Sequence, residues 1–214
     1  MIPNPPADSR LPIGSLAVVL VLVVAAAATG VAMGWAARPA PSGAFANCRT
    51  APQVAPYVYQ APPANCIDLN KPYSATILTT KGDITVQFLV GAAPVTVNNF
   101  IVLAVNGYFT GDRLFNVQDW FAQSGDPINT GRGGPGYTLP DEPQPADAWV
   151  PGSVGMARLP SGVSGSQFFI TKLPWPGGNP TTAYNHFATV TLGFDIVGQL
   201  TKDDRILRVD VRKG

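Results

Sequence analysis

Beyond Gly107 this chain keeps meeting glycine and proline, at intervals too short for a second long helix. Whatever forms there must be assembled from short strands and turns. Two β-rich runs, Ala75 to Leu78 and Ile84 to Leu89, flank Thr80-Lys81-Gly82-Asp83, whose glycine suits a tight reversal, so a hairpin is expected. Pro94 then stands where a helical first turn tolerates proline, Val97, Phe100, Ile101 and Ala104 recur at helical spacing, and Gly107 supplies the stop. One amphipathic helix follows. Near the end Leu207, Val209 and Val211 alternate with Arg208, Asp210 and Arg212, the period of a half-buried strand. Many short strands in a segment of about 140 residues imply a mainly β domain closed as an antiparallel barrel.

Ahead of it lies a different kind of segment. From Leu11 to Ala37 no residue is charged, a run of 27, where roughly 20 apolar residues cross a bilayer and a cleaved signal carries only about 7–15. This reads as a single retained transmembrane helix over 11–37 behind a cytoplasmic tail, 1–10. Arg10 on one side faces Arg38 and Arg49 on the other, so basic residues leave the orientation open. Cysteines decide it. The two in the chain, Cys48 and Cys66, have no nearby histidine to make a metal set and most simply form one disulfide, the alternative being two unrelated thiols. A disulfide places the bulk of the chain outside the cytoplasm, in the cell membrane's single-pass class. Residues 38–73, with Pro39, Pro41, Pro52, Pro56, Pro62, Pro63 and Pro72, read as an extended extracytoplasmic spacer in which the Cys48 to Cys66 loop could clasp the domain. Gly30 and Gly34 have a helix-dimer spacing that arises easily in so Ala-rich a run, so the oligomeric state is left open.

Several function classes are excluded. The net charge of +1, with 14 basic and 13 acidic residues and no cluster, offers no nucleic-acid surface. Gly131-Arg132-Gly133-Gly134-Pro135-Gly136 spells a dinucleotide fingerprint, but Pro135 interrupts it and Tyr137-Thr138-Leu139-Pro140 opens no helix, so it is a tight loop. His186 is the only histidine, which removes the usual zinc sets, and Ser166 lacks a nucleophile elbow. Neither metal nor cofactor is expected.

Four blocks remain: Gly125-Asp126-Pro127, Gly133-Gly134-Pro135-Gly136-Tyr137, Val154-Gly155-Met156-Ala157, and Gly165-Ser166-Gln167-Phe168-Phe169-Ile170-Thr171. In this order, and over about Ala75 to Val211, they resemble the cyclophilin family of peptidyl-prolyl isomerases. The resemblance implies a closed eight-stranded antiparallel barrel over 74–214 with capping helices and a ligand groove on its outer face. It also implies cis-trans isomerisation of X-Pro bonds without a cofactor, assisting protein folding; with the span and the cysteines, the substrates expected are exported proline-containing polypeptides, and a chaperone role belongs to the alternative in which the chemistry is lost.

The implied site can be carried over residue by residue. The family runs Phe-His-Arg-Val, a short turn, then Phe-Met-x-Gln, and Leu114 to Gln123 is one residue shorter. A gap in the turn sets Asn116 at the catalytic arginine, Trp120 and Phe121 at the Phe-Met pair and Gln123 at the glutamine; an earlier gap sets Phe115 at the arginine. Neither placement supplies an arginine, and Arg113 and Arg158 are the candidates to compensate. Ala157 and Arg158 match the Ala-Asn that receives the substrate backbone, Gln167 and Phe169 match Gln-x-Phe, and Tyr184 falls at a His or Tyr position. Trp175 and Asn179 both remain open for the family's nearby tryptophan or leucine. The expected activity is therefore isomerisation with Asn116 and Gln123 as catalytic residues; the alternative is a proline-binding module that has lost its chemistry.

Overall fold

Tyr73–Thr79 (β1) and Asp83–Phe88 (β2) pair antiparallel with Leu78 opposite Asp83. The reversal is therefore Thr79 to Gly82, and the Thr79 hydroxyl closes it by donating to the Gly82 carbonyl at 2.6 Å. This is a computed structural model, and it describes residues 43–50, 57–142, 149–176 and 184–214. The apolar run 11–37, its Gly30 and Gly34, and Asn179 lie outside the described residues. No described helix is long and apolar enough to cross a membrane.

The expected helix forms over Pro94–Val105 (α1), with proline in its first turn. Its amphipathic character is less than the sequence suggests, because Thr96 through Ala104 are all buried. Polar residues on its outer side have found partners. Asn98 accepts from the Cys66 amide and donates to the Ala64 carbonyl, while Asn99 donates to Gly165 and accepts from the Tyr137 hydroxyl. The helix also starts without a local side-chain cap, at Ala93. Glu142, from far along the chain, takes that role by accepting from the Val95 and Thr96 amides at 2.9 Å each and from the Thr96 hydroxyl at 2.7 Å. A carboxylate there satisfies free amides and meets the positive end of the helix. Glu142→Ala is expected to cost about 1–2 kcal/mol by urea denaturation, and an unchanged midpoint would show that the cap contributes nothing.

The remaining elements are Asn116–Val117 (β3), Phe121–Ser124 (β4), Thr138–Leu139 (β5), Ser153–Leu159 (β6), Gly162–Thr171 (β7), His186–Leu192 (β8), Phe194–Gln199 (α2) and Ile206–Lys213 (β9). They make one antiparallel sheet of nine strands in the order β3-β4-β7-β6-β8-β2-β1-β9, with β5 added on β7. The described residues thus form a mainly β, curled half-barrel with two α-helices. This corrects the expected closed eight-stranded barrel in two respects. There is a ninth strand, and no ladder joins β9 to β3. In its place the chain just before β3 meets the start of β9 through one bridge, Arg113 with Arg205, and through backbone bonds from Gly111 to Ile206, Ile206 to Asp112 and Leu114 to Asp204. Two residues of β3 are too few to carry more.

The core lies inside the curl. Phe100 of α1 is its centre, with ring centroids of Phe88, Phe109, Phe168 and Phe187 at 4.7–5.6 Å. Inward residues of β7, Phe168 and Ile170, alternate with outward ones, which is how Phe169 reaches the opposite face.

In its described parts the stretch read as a spacer is packed onto the domain. Cys48 and Cys66 form a disulfide. Phe45, in a short 3₁₀ helix Gly43–Cys48, packs on Tyr73 with ring centroids 6.0 Å apart, and Cys48, Tyr59 and Ile67 join the core cluster. Asn106, at the end of α1, donates to the Cys48 carbonyl and accepts from the Thr50 amide. This strap is why α1 has almost no exposed side.

Candidate active site

The hairpin of β3 and β4 sets the site's polar half. Asn116 stands opposite Gln123 and Val117 opposite Ala122, with the turn closed by the Gln118 amide on the Phe121 carbonyl at 2.9 Å. Asn116, and not Phe115, therefore faces the glutamine. The Phe115 ring turns toward Gly131. On β4 the pleat sends Ala122 and Ser124 inward and leaves Phe121 and Gln123 half-buried on the outer face.

Side-chain amides are linked head to tail across this face. Gln118 Nε2 donates to Asn116 Oδ1 at 3.0 Å, and Asn116 Nδ2 donates to Gln123 Oε1 at 3.1 Å. Gln123 Nε2 donates to Gln167 Oε1 at 3.1 Å, and Gln167 Nε2 donates to the Gly133 carbonyl at 2.8 Å. Each bond fixes which end of the next amide points where. Each –NH₂ group has two hydrogens, so one N–H on Asn116 and one on Gln123 are not used by these bonds. Gln167 is fully buried and anchors the row.

That anchor rests on Asp126. Its carboxylate, itself fully buried, accepts from the amides of Ile128, Thr130, Gly131 and Gly133 and from the Thr130 hydroxyl. Burial raises its pKa, but those backbone bonds together outweigh it and hold the acid below its ordinary value. The glycine loop is thus wrapped on a charge, a role for Gly131 to Gly136 that has nothing to do with a nucleotide. Ser166 is equally structural, since its hydroxyl donates to the Gly125 carbonyl at 2.6 Å and accepts from Tyr108.

The apolar half is a cluster of rings. Phe169 is at its centre, with centroids of Trp149 at 5.5 Å, Tyr184 at 5.6 Å, Trp175 at 6.0 Å and Phe121 at 6.2 Å, while Trp120 sits 4.4 Å from Phe121 and 4.7 Å from Trp175. Phe169 itself is only 5% exposed. The half-buried rim of Trp120, Phe121, Trp175 and Tyr184 offers the accessible apolar surface. Trp149 stacks on Phe169 over Gly155, where a β-carbon would come within 2.8 Å of both rings. His186 stacks on Trp149 at 4.8 Å, and its Nε2 lies 3.0 Å from the Ala188 carbonyl. Burial lowers its pKa, so it is a neutral packing residue.

Beside both halves, the register of β6 with β7 slips at Ala157, which has no strand partner there. The Arg158 guanidinium is held by the Asp141 carboxylate through contacts of 2.7 and 3.1 Å. Arg113 is exposed, with its amide on the Asn129 side chain. Trp149 and Gln118 are the participants that the sequence did not reveal. A tryptophan among prolines and a glutamine in a turn carry no period, and the one available signal was Gly155, a glycine inside a strand.

Just ahead of the hairpin, Asp112 is 4% exposed and its Oδ2 has no hydrogen-bond partner among the described residues. Burial, then the charge of Asp126, push its pKa from 3.8 up to about 7. An acid with a raised pKa favours the fold while protonated, so this contribution is complete below about pH 4 and is lost as the pH climbs to about 7. Asp112→Asn is expected to unfold about 2–4 kcal/mol less readily than the parent at pH 8 and to show no advantage at pH 4. Equal gains at both values, by urea denaturation, would contradict the assignment.

Residues 74–212 match the family model described as cyclophilin type peptidyl-prolyl cis-trans isomerase/CLD. A peptidyl-prolyl cis-trans isomerase of Synechococcus elongatus is 37% identical over 140 residues, covering 64% of this chain and 94% of its own. Peptidyl-prolyl cis-trans isomerase B of Streptomyces anulatus is 36% identical over 126 residues, 50% of this chain and 72% of its own. Among solved structures, a Cryptosporidium parvum cyclophilin type isomerase crystallised in the presence of the dipeptide Ala-Pro superposes with a TM-score of 0.58 at 26% identity, covering 66% of this chain and 99% of that one.

Proposed function

This chain belongs to the cyclophilin type peptidyl-prolyl cis-trans isomerases, and from that premise we propose that it turns X-Pro bonds with a neutral amide row in place of a guanidinium, acting on exported polypeptides. Rotation of such a bond meets a barrier of about 18–20 kcal/mol because resonance must be lost. As conjugation breaks, the prolyl nitrogen becomes a better hydrogen-bond acceptor. A donor fixed where that lone pair develops favours the twisted state over either planar one.

On this reading Asn116 is that donor. Its Oδ1 is occupied by Gln118 and one N–H by Gln123, which fixes the plane of the amide, and the reading assigns its second N–H to the prolyl nitrogen. Gln123, with its own second N–H, holds the carbonyl before the proline. The proline ring lies against the rim of Trp120, Phe121 and Tyr184 over Phe169, and the substrate strand runs along Ala157 and Arg158. No covalent intermediate and no cofactor enter. The observation that carries this reading is the continuous set of hydrogen bonds from Gln118 to Gly133 beside the ring cluster.

A neutral donor is weaker than a charged one, whose hydrogen bonds contribute about 1.5–3 kcal/mol. Asn116→Arg in the full chain is therefore expected to raise kcat/KM on an X-Pro peptide by about 10- to 100-fold. A parent without measurable rate that gains one in Asn116→Arg supports the second reading, a proline-binding module, which the uncharged Asn116 alone favours. Anchorage through 11–37 with the domain outside the cytoplasm is part of the proposal, supported by the Cys48–Cys66 disulfide. Thiol labelling in intact cells tests it: reagent reaching free Cys48 and Cys66 only after lysis would overturn it.

A further inference from the structure

Tyr108, just past the end of α1, is 1% exposed, and its hydroxyl donates to Ser166 Oγ at 3.3 Å. A hydroxyl has one hydrogen, and Ser166 directs its own to the Gly125 carbonyl at 2.6 Å. These two bonds lie where the amide row passes from one strand to the next. Gln123 of β4 donates to Gln167 of β7, Ser166 precedes Gln167, and Gly125 lies two residues past Gln123. The backbones meet closely there, since Gly125 has φ of +87° and a β-carbon on it would collide with the Ser166 carbonyl. The Tyr108 hydroxyl, Ser166 and Gly125 thus fix the spacing of the two strands beside the Gln123–Gln167 bond. What covers Tyr108 is the strap, which lies outside the family-matched residues 74–212. The Tyr57 ring stands edge-on to Tyr108 with centroids 5.5 Å apart, and the Tyr59 ring lies at 6.4 Å. Tyr57 takes φ of +77°, a costly conformation for a non-glycine residue, in a segment that packs on Tyr108. Asn106, two residues before Tyr108, is bonded to the strap at Cys48 and Thr50. The Tyr59 amide donates to the Pro135 carbonyl at 2.8 Å, two residues from the Gly133 carbonyl that ends the row.

We propose that Tyr108 is a positioning residue for the amide row, and that Tyr57 and Tyr59 of the disulfide-closed strap hold it in that role. Tyr108 touches no substrate; it acts through Ser166 on the strands that carry Gln123 and Gln167. This rests on the amide row being the reacting face, and it adds two residues from outside the family match. The ring contacts of Tyr108 are Tyr57, Tyr59 and Phe109, none of them in the groove's ring cluster. Losing its hydroxyl, or the two rings over it, therefore misplaces the donors and spares the apolar surface that holds the peptide, so turnover falls while binding persists.

The test measures kinetics on an X-Pro peptide together with the side-chain NH₂ resonances of Gln123 and Gln167, all with the full chain. Tyr108→Phe keeps the ring and is expected to lower kcat about fivefold, with KM within about twofold of the parent, and to displace both amide resonances. Tyr57→Ala with Tyr59→Ala is expected to lower kcat about tenfold, and Tyr57→Phe with Tyr59→Phe, which keeps both rings, to restore it. Thr79→Ala, which loosens the β1–β2 turn instead, is expected to leave kcat unchanged. An equal fall in Thr79→Ala, a rise in KM alone, or unmoved resonances in Tyr108→Phe would overturn the positioning role. Resonances that move in Tyr108→Phe while the parent shows no catalysed rate keep the role and overturn catalysis; a catalysed rate untouched by all these variants does the reverse.

Discussion

Gln123→Ala is expected to lower kcat/KM for an X-Pro peptide by about 100-fold, with the protein still folded. The side chain is the middle member of the amide row, and its removal acts in both directions at once. Asn116 loses the acceptor that fixes its Nδ2, and Gln167 loses the donor that holds its Oε1. Loss of a preorganised donor at a site of developing charge costs about 10²–10³ in rate. The fold pays much less, about 1–2 kcal/mol for the buried Gln167 oxygen left without its partner. Activity measured beside urea denaturation separates the two. A parallel fall in both, or a rate reduced less than about threefold, would remove Gln123 from the chemistry.

Asp126→Ala is expected to be the most destabilising single change, about 3–5 kcal/mol by urea denaturation. Four backbone N–H groups converge on one buried carboxylate and would face a void. Asp126→Asn does not rescue them, since an amide sets a donor against donors. The same group gives the protein an acid limit. Its folded pKa lies below the unfolded 3.8, so its contribution is present above about pH 4 and falls away as the pH drops through the folded value. Asp112 works in the opposite direction, and the two place greatest stability between the acid loss of one and the near-neutral loss of the other. A loss below about 1 kcal/mol in Asp126→Ala would mean the loop is held by other contacts.

The sequence was most legible where a period or a fixed spacing was at work. The β1–β2 hairpin, α1 and β9 were readable because alternation and the 3.6 repeat survive in Ala75 to Leu89, Val97 to Ala104 and Leu207 to Val211. Of the two gap placements that the sequence left open between Leu114 and Gln123, the one in the turn agrees with the ladder, which sets Asn116 opposite Gln123. What was hidden depends on segments far apart in the chain. Glu142 caps a helix 46 residues away from it, Asn98 and Asn106 bind the strap across 32 and 58 residues, and no local pattern announces either. The incomplete closure between β3 and β9 is similarly nonlocal, since it turns on how few residues β3 can pair. Prolines made 38–73 read as an extended spacer with the Cys48 to Cys66 loop as its one clasp, yet proline forbids regular ladders and not packing, and Phe45, Cys48, Tyr59 and Ile67 all pack into the core.

The central claim is that a neutral asparagine, oriented by its neighbours, still lowers the barrier to proline rotation. Exchange between cis and trans forms of an X-Pro peptide, followed by NMR with the full chain at a concentration that binds the peptide, measures this directly. The account predicts exchange well above the spontaneous rate, whose time is tens to hundreds of seconds. Peptide bound on the rings and exchanging no faster than in buffer would contradict it.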